Sequence, residues 1–152
     1  MTQTTNRKTS RPLRFVLLED DWQQAELIKN WLGDQFERSE IEIIETAKQF
    51  HARVDGFKDN SPDVFIIDMM VRFTDPDDEN EASQGESVDF FRAGARCYEE
   101  LRSRGLNGRA IIYSVIDNDD LQKANLNYLA NIHIQKEEDK TELYNAICKL
   151  IC

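Results

Sequence analysis

Residues 62–70 read PDVFIIDMM, and this stretch indicates the central strand of the fold. Four apolar residues stand between two aspartates, Asp63 and Asp68. A run this short and this rich in β-branched residues favours a strand that is buried on both faces, as in a parallel sheet. Such a strand carries Asp68 to the carboxyl edge of the sheet, which is the edge where open α/β sheets bind their ligands.

The length and the charge of the chain narrow its class. The sequence has 152 residues, of which 40% are hydrophobic and 32% charged, with a formal net charge of −10. We expect a flexible tail over residues 1–12 and a single domain over residues 13–152, without an output domain. The acidic balance argues against a nucleic-acid partner, because phosphates require basic residues. It also argues against an anionic membrane surface.

No segment of the sequence predicts membrane insertion or secretion. The longest apolar runs fall far short of the roughly 20 residues of a membrane span, and no apolar segment follows the basic N-terminus. The three cysteines, Cys97, Cys148 and Cys152, form no C-x-x-C pair. An odd number without such a pair indicates reduced thiols, and we expect a cytoplasmic protein.

Strand and helix patterns alternate five times along the chain, which predicts right-handed crossovers and a parallel sheet with helices on both faces. The predicted strands cover residues 13–18, 41–44, 64–67, 109–113 and 131–135, and the predicted helices cover 22–36, 48–57, 88–101, 117–130 and 141–151. In the fourth helix we expect Leu121, Ala124 and Tyr128 to face the core. In the last helix we expect the same of Leu143, Ile147 and Leu150.

Polar side chains stand where these strands end. They are Glu19 and Asp20 after the first strand, Asp68 after the third, Ser114 after the fourth and Lys136 after the fifth. An acid after a strand is usually a helix cap. Because the carboxyl ends of parallel strands meet at one edge, however, all five are expected to converge.

The residue types indicate phosphoryl chemistry. Clustered carboxylates resist ionising together unless a cation joins them, and an all-oxygen ligand set suits Mg²⁺. Beside such a metal, Asp68 keeps one oxygen free to attack phosphorus and form an aspartyl phosphate. Lys136 would neutralise charge on the transferred group, and Ser114 would hydrogen-bond one of its oxygens.

Four segments together resemble the receiver domain of two-component response regulators, over residues 13–151. They are VLLEDD at 16–21, PDVFIID at 62–68, IIYS at 111–114 and IHIQK at 132–136. The resemblance implies an α/β, flavodoxin-like (βα)5 fold, a doubly wound parallel sheet with strand order 2-1-3-4-5. It also implies a phosphoacceptor that promotes its own phosphorylation and dephosphorylation rather than an enzyme acting on a separate substrate.

The resemblance also implies a role for each site residue. Asp68 is the expected phosphoacceptor, Ser114 the conformational-switch hydroxyl and Lys136 the lysine that contacts the phosphate. The expected Mg²⁺ ligands are Glu19, Asp20, Asp68 and the main-chain carbonyl of Met70.

The partners implied by the resemblance are proteins. A histidine kinase or a phosphotransfer protein donates the phosphoryl group, and a separate downstream protein reads the result. The face made by the fourth helix, the fifth strand and the last helix is the expected contact surface, and it could also support a homodimer. The alternative is a pseudo-receiver, a protein-interaction module that works without phosphate.

Three positions depart from the receiver pattern. Glu137 follows Lys136 where proline is usual, and Arg72 stands four residues after Asp68 where proline is also usual. His133 replaces an aromatic switch residue. We expect His133 to be half-buried and to pack, and a pH-sensitive switch is the alternative.

Residues 69–87 form a long acidic segment in place of a short loop. Asp75, Asp77, Glu79 and Glu86 fall at the acidic positions of a calcium-loop pattern, but Asn80 stands where that pattern needs glycine. A solvated loop near the mouth of the site, controlling access to Asp68, is the favoured interpretation.

Two other classes with this architecture fit less well. A haloacid-dehalogenase-type phosphohydrolase places two aspartates two residues apart after its first strand, and the run EDDW at 19–22 does not. A nucleotide-binding relative needs glycine in the same turn, and none is present.

Overall fold

The computed structural model describes residues 11–72, 92–137 and 139–151. In this part of the chain five strands form one sheet, in which every pair is parallel and the order is β2-β1-β3-β4-β5. The strands are β1 (Leu13–Leu18), β2 (Ser39–Ile44), β3 (Val64–Ile67), β4 (Ala110–Ser114) and β5 (His133–Gln135). The predicted fold class and strand order are therefore confirmed.

Among the described residues, five helices connect or follow the strands. They are α1 (Trp22–Gln35), α2 (Ala47–Val54), α3 (Ala93–Ser103), α4 (Asn118–Lys123) and α5 (Thr141–Ile151), with a one-turn helix at Gly56–Asp59 and 3₁₀ turns at Asn107–Arg109 and Asn127–Ile132. Within the described ranges, none of these helices has the length and apolar character to cross a membrane. Residues 1–10 of the predicted tail and residues 73–91, which hold most of the predicted acidic loop, lie outside the described residues.

The core lies on both faces of the sheet, and β3 shows why. Val64 and Ile66 pack with α1 and α5, while Phe65 and Ile67 pack with α2, α3 and α4 on the other face. All four side chains are at most 1% exposed. A strand buried on both faces reads as a continuous apolar run rather than an alternating one, as the sequence indicated.

The fourth helix differs from its prediction. A single helix over 117–130 was expected, but α4 ends at Lys123 and a 3₁₀ turn follows. Asn125 has a left-handed backbone with φ 61°, and the N–H of Leu126 bonds back to the carbonyl of Leu121. This is a helix-ending motif that asparagine tolerates well. Because the helix ends before Tyr128, this residue no longer lies on the buried face that a continuous helix would give it. Its side chain is 48% exposed, so its predicted inward position is wrong.

Smaller differences affect two other helices. The second helix, predicted as continuous over 48–57, is interrupted at Asp55 before the one-turn helix. In α5, Leu143 and Ile147 are buried as expected. Leu150 is 37% exposed, so its predicted burial is wrong, and Ile151 packs on the core instead.

Candidate functional site

Main-chain hydrogen bonds between neighbouring strand ends fix the polar residues at the carboxyl edge. The N–H of Asp68 donates to the carbonyl of Leu18 at the end of β1 (3.0 Å). The N–H of Lys136 donates to the carbonyl of Ser114 at the end of β4 (2.8 Å). These bonds continue the parallel ladder by one residue, so the main chain of Asp68 and of Lys136 is positioned by the neighbouring strand.

Four of the predicted site residues form one hydrogen-bonded network. The hydroxyl of Ser114 donates to Oδ1 of Asp68 (3.0 Å), and the Lys136 ammonium donates to Oδ2 of Asp68 (3.2 Å) and to Oε1 of Glu19 (2.6 Å). Ser114, Glu19 and Asp68 are 0%, 2% and 8% exposed. One ammonium therefore serves two buried carboxylates that come from different strands.

The charges of this network are only partly balanced. Burial and the charge of Asp68 raise the pKa of Glu19 to about 7, against the opposing pull of Lys136. Burial lowers the pKa of Lys136, but the charges of Asp68 and Glu19 and the hydrogen bonds to both outweigh that effect and raise it. The Tyr113 ring lies 5.8 Å from the ammonium and adds a weak cation–π contact. The buried carboxylates therefore carry more negative charge than Lys136 neutralises.

Asp20 makes its contacts with Arg72 rather than with Lys136. Its Oδ2 accepts from the main-chain N–H of Arg72 (3.0 Å) and lies 3.9 Å from the Arg72 guanidinium. Burial raises the pKa of Asp20, although the bond from Arg72 opposes the shift. The adjacent Asp21 caps α1, since its carboxylate accepts from the N–H groups of Gln23 and Gln24. Glu19 and Asp20, neighbours in sequence, thus have different partners.

Sequence reasoning missed Gly94, which lies directly beneath the site. Its N–H donates to the carbonyl of Met69 (3.2 Å). A Cβ atom at this position would clash with the Asp68 carbonyl and would lie 2.6 Å from the Cα of Met69. A glycine at the start of α3 was visible in the sequence, but nothing there indicated which backbone it approaches.

The remaining predicted site residues are Met70 and His133. The N–H of Met70 donates to Oδ1 of Asp68 (3.1 Å), while the role of its carbonyl as a metal ligand stays a prediction. His133 pairs with Ile112 across β4 and β5, and its side chain lines a groove with Asp117 and Glu142. It is half-buried as expected, and burial lowers its pKa. Its Nε2 is buried without a hydrogen-bond partner in the described part of the protein.

The donor set fits Mg²⁺ in its chemistry. Glu19, Asp20 and Asp68 are hard oxygen donors, and for the first two the raised pKa values show that burial favours an added positive charge. Among the described residues, however, no three Asp, Glu, His or Cys side chains already stand together as a metal site. Lys136 contacts Glu19 and Asp68 instead, and Arg72 contacts Asp20.

Comparison with solved structures identifies the fold. The chain is similar to the receiver domain of the Francisella response regulator 1452, with TM-score 0.63 and 19% identity over 91% of this chain and 95% of that one. It is also similar to a phosphorylated cyanobacterial phytochrome response regulator, with TM-score 0.61 and 17% identity over 91% of each chain. No protein-family model matches the sequence, and no curated protein matches it at a significant level.

A third similar structure carries a metal. It is the receiver domain of a sensor histidine kinase from Pseudomonas aeruginosa PAO1, described with a magnesium ion coordinated in its active-site cleft. The likeness has TM-score 0.60 and 15% identity, and covers 92% of this chain and 98% of that one. At these identities the comparisons establish that the chain has the fold of response-regulator receiver domains.

Proposed function

We propose that this protein is a receiver in two-component phosphorelay signalling, and that it accepts a phosphoryl group on Asp68. The observation that carries the proposal is the network at the sheet edge, in which one carboxylate has a buried hydroxyl on one oxygen and a lysine on the other. A carboxylate that served only to cap a turn would not need two partners delivered by two other strands.

The reaction follows from these contacts. An oxygen of Asp68 attacks the phosphorus atom of a phosphohistidine or a small phosphoryl donor. The bond from phosphorus to the donor breaks, and the leaving group keeps the electron pair and takes a proton from water. Lys136 stays close enough to neutralise the new phosphoryl oxygens, and the Ser114 hydroxyl can turn from Asp68 to one of them.

The metal in this proposal is Mg²⁺, held by Glu19, Asp20, Asp68 and the Met70 carbonyl. When bound, it would supply positive charge to the carboxylates and to the transferred group. Three of these ligands have a cation of the protein beside them in this structure, because Lys136 contacts both Glu19 and Asp68, and Arg72 contacts Asp20. That observation supports the second candidate, a pseudo-receiver that binds partners without phosphate.

The proposed partners are a histidine kinase or phosphotransfer protein as donor and a separate protein as reader, in the cytoplasm. The face formed by α4, β5 and α5 is the proposed contact surface. It includes a groove of about 410 Å³ lined by the acidic side chains Asp117, Asp119, Glu137 and Glu142 around His133. Like charges in this groove oppose its use in a symmetric homodimer, so a basic partner segment suits it better.

The proposal is tested by intact-protein mass spectrometry. The full chain is incubated with Mg²⁺ and a small phosphoryl donor, alongside Asp68→Asn and a sample with the metal chelated. We expect the mass of one phosphoryl group to appear on the wild type alone.

The other outcomes separate the two candidates. No gain in mass, either with the small donor or with a panel of purified kinases and phosphotransfer proteins, would contradict a working receiver and favour the pseudo-receiver. A gain that persists in Asp68→Asn would show that another residue is the acceptor.

A further inference from the structure

Arg72 makes two contacts with one oxygen of Asp20. Its main-chain N–H donates to Oδ2 at 3.0 Å, and its guanidinium Nε lies 3.9 Å from the same atom. The side chain of Asp20 is 18% exposed and that of Arg72 is 51% exposed. The carboxylate is thus held from the solvent side by a residue that follows Asp68 in the chain.

The backbone of Arg72 is fixed from the other side as well. Its carbonyl accepts from the N–H of Ala47 (2.9 Å), and Thr46 and Arg72 form an isolated parallel bridge. Ala47 is the first residue of α2, so this bond satisfies one of the unpaired N–H groups at the start of that helix. Arg72 therefore links Asp20 to α2 through its main chain.

A divalent cation and Arg72 would compete for Asp20. Both are positive, and a guanidinium next to Oδ2 repels a metal that approaches the same carboxylate. A proline at this position could not donate a main-chain hydrogen bond and would carry no charge. Because residue 72 is not proline, its main-chain N–H can bond to Asp20, and because it is arginine, its side chain adds a positive charge beside the same oxygen.

We propose that Arg72 is an internal counter-ion of Asp20 that competes with Mg²⁺, so that metal binding frees the Arg72 N–H from the carboxylate. Arg72 is thus a positioning residue that acts through Asp20. The inference rests on the proposed function, since it requires a metal at this site. It goes beyond that function because metal binding would change the main-chain hydrogen bonding of Arg72. The change would reach α2 through the bond between the Arg72 carbonyl and the N–H of Ala47.

The first test compares Mg²⁺ affinity by calorimetry in the wild type, Arg72→Ala and Arg92→Ala. Arg92 is the matched control, since its guanidinium donates to the Ala124 carbonyl rather than to a site carboxylate. Loss of a partly exposed ion pair predicts about threefold tighter binding in Arg72→Ala. Arg92→Ala should bind as the wild type does. Weaker binding in Arg72→Ala would show that Arg72 orients Asp20 for the metal, and would overturn the inference.

The second test measures amide hydrogen exchange by NMR, which does not depend on activity. Saturating Mg²⁺ should speed exchange at Arg72 while leaving the Asp63 amide, bonded to the Arg14 carbonyl at the other end of the sheet, unchanged. If Mg²⁺ binds but exchange at Arg72 stays the same or slows, this inference is wrong and the proposed function stands. If neither the wild type nor Arg72→Ala binds Mg²⁺, both are wrong.

Discussion

The two ends of β3 carry an aspartate each, and their surroundings differ. Asp63, before the strand, accepts from the guanidinium of Arg11 (2.9 and 3.0 Å) and from the main-chain N–H of Arg14 (2.8 Å). Asp68, after the strand, shares the single ammonium of Lys136 with a second carboxylate. Before the strand, the negative charge of Asp63 is matched by a guanidinium. After the strand, two carboxylates share one ammonium, so their negative charge is only partly neutralised.

The carboxylates at the two edges of the sheet differ in the direction of their pKa shifts. Burial alone would raise the pKa of Asp63, but the hydrogen bonds from Arg11 and Arg14 outweigh it and lower the pKa. At the opposite edge, burial raises the pKa of Glu19 to about 7. A carboxylate whose charge is matched stabilises the fold, whereas a cluster with excess negative charge favours the binding of a cation.

The largest expected effect comes from removing the basic partner at each end. Lys136→Met leaves Glu19 and Asp68 buried without their cation, which should lower the free energy of unfolding by about 3 kcal/mol. Arg11→Met removes a partner that is 59% exposed, and should cost at most about 1 kcal/mol. Urea unfolding of both variants measures the difference.

A second substitution checks the cause of the Lys136 effect. In Lys136→Met/Glu19→Gln one of the two unpaired charges is gone, so much of the lost stability should return. Equal losses in Lys136→Met and Arg11→Met, or no recovery in the double variant, would contradict the account of an undercompensated cluster.

An intermediate effect is expected at Gly94. A methyl group there must displace the Asp68–Met69 backbone, so Gly94→Ala should lower the free energy of unfolding by about 2 kcal/mol and slow phosphorylation. Gly33→Ala is the matched control, because nothing lies within 4 Å of a Cβ at that helical position. It should stabilise the protein by up to about 1 kcal/mol. A neutral Gly94→Ala would show that the site tolerates the shift.

The smallest effect is the pH dependence at Asp63. Its pKa in the folded protein lies below the usual aspartate value of 3.8, so its contribution to stability is complete above that pH. The contribution is lost as the pH falls through 3.8 toward the folded-state pKa. The stability gap between wild type and Asp63→Asn, followed by urea unfolding from pH 6 to about pH 2, should therefore close on acidification. A gap that is constant over this range would mean that the charge of Asp63 contributes nothing.

Much of the architecture was predictable from local pattern. The apolar run before Asp68 fixed the central strand, and the polar residues after each strand indicated the edge where Glu19, Ser114 and Lys136 meet. These predictions succeed because strand direction alone decides which residues share an edge. The left-handed turn at Asn125 was not predicted, because a helical pattern continues on either side of it.

The partners of the site residues could not be predicted from spacing. Glu19 and Asp20 look like an equivalent pair in the sequence. In the structure, however, Glu19 contacts Lys136 and Asp20 contacts Arg72. Arg72 was noticed only as a departure from the receiver pattern, and Gly94 not at all. Both act through the backbone path after β3, which depends on tertiary contacts with α2 and α3 rather than on any local signal.

The most direct test of the account is to locate the phosphoryl group within the chain. The protein is treated with Mg²⁺ and a small phosphoryl donor, reduced with borohydride to convert an acyl phosphate into homoserine, and analysed by peptide mass spectrometry. We expect homoserine at residue 68 and unmodified aspartate at residue 63. Modification at residue 63, or at neither position, would contradict the claim that the two ends of β3 differ in chemistry.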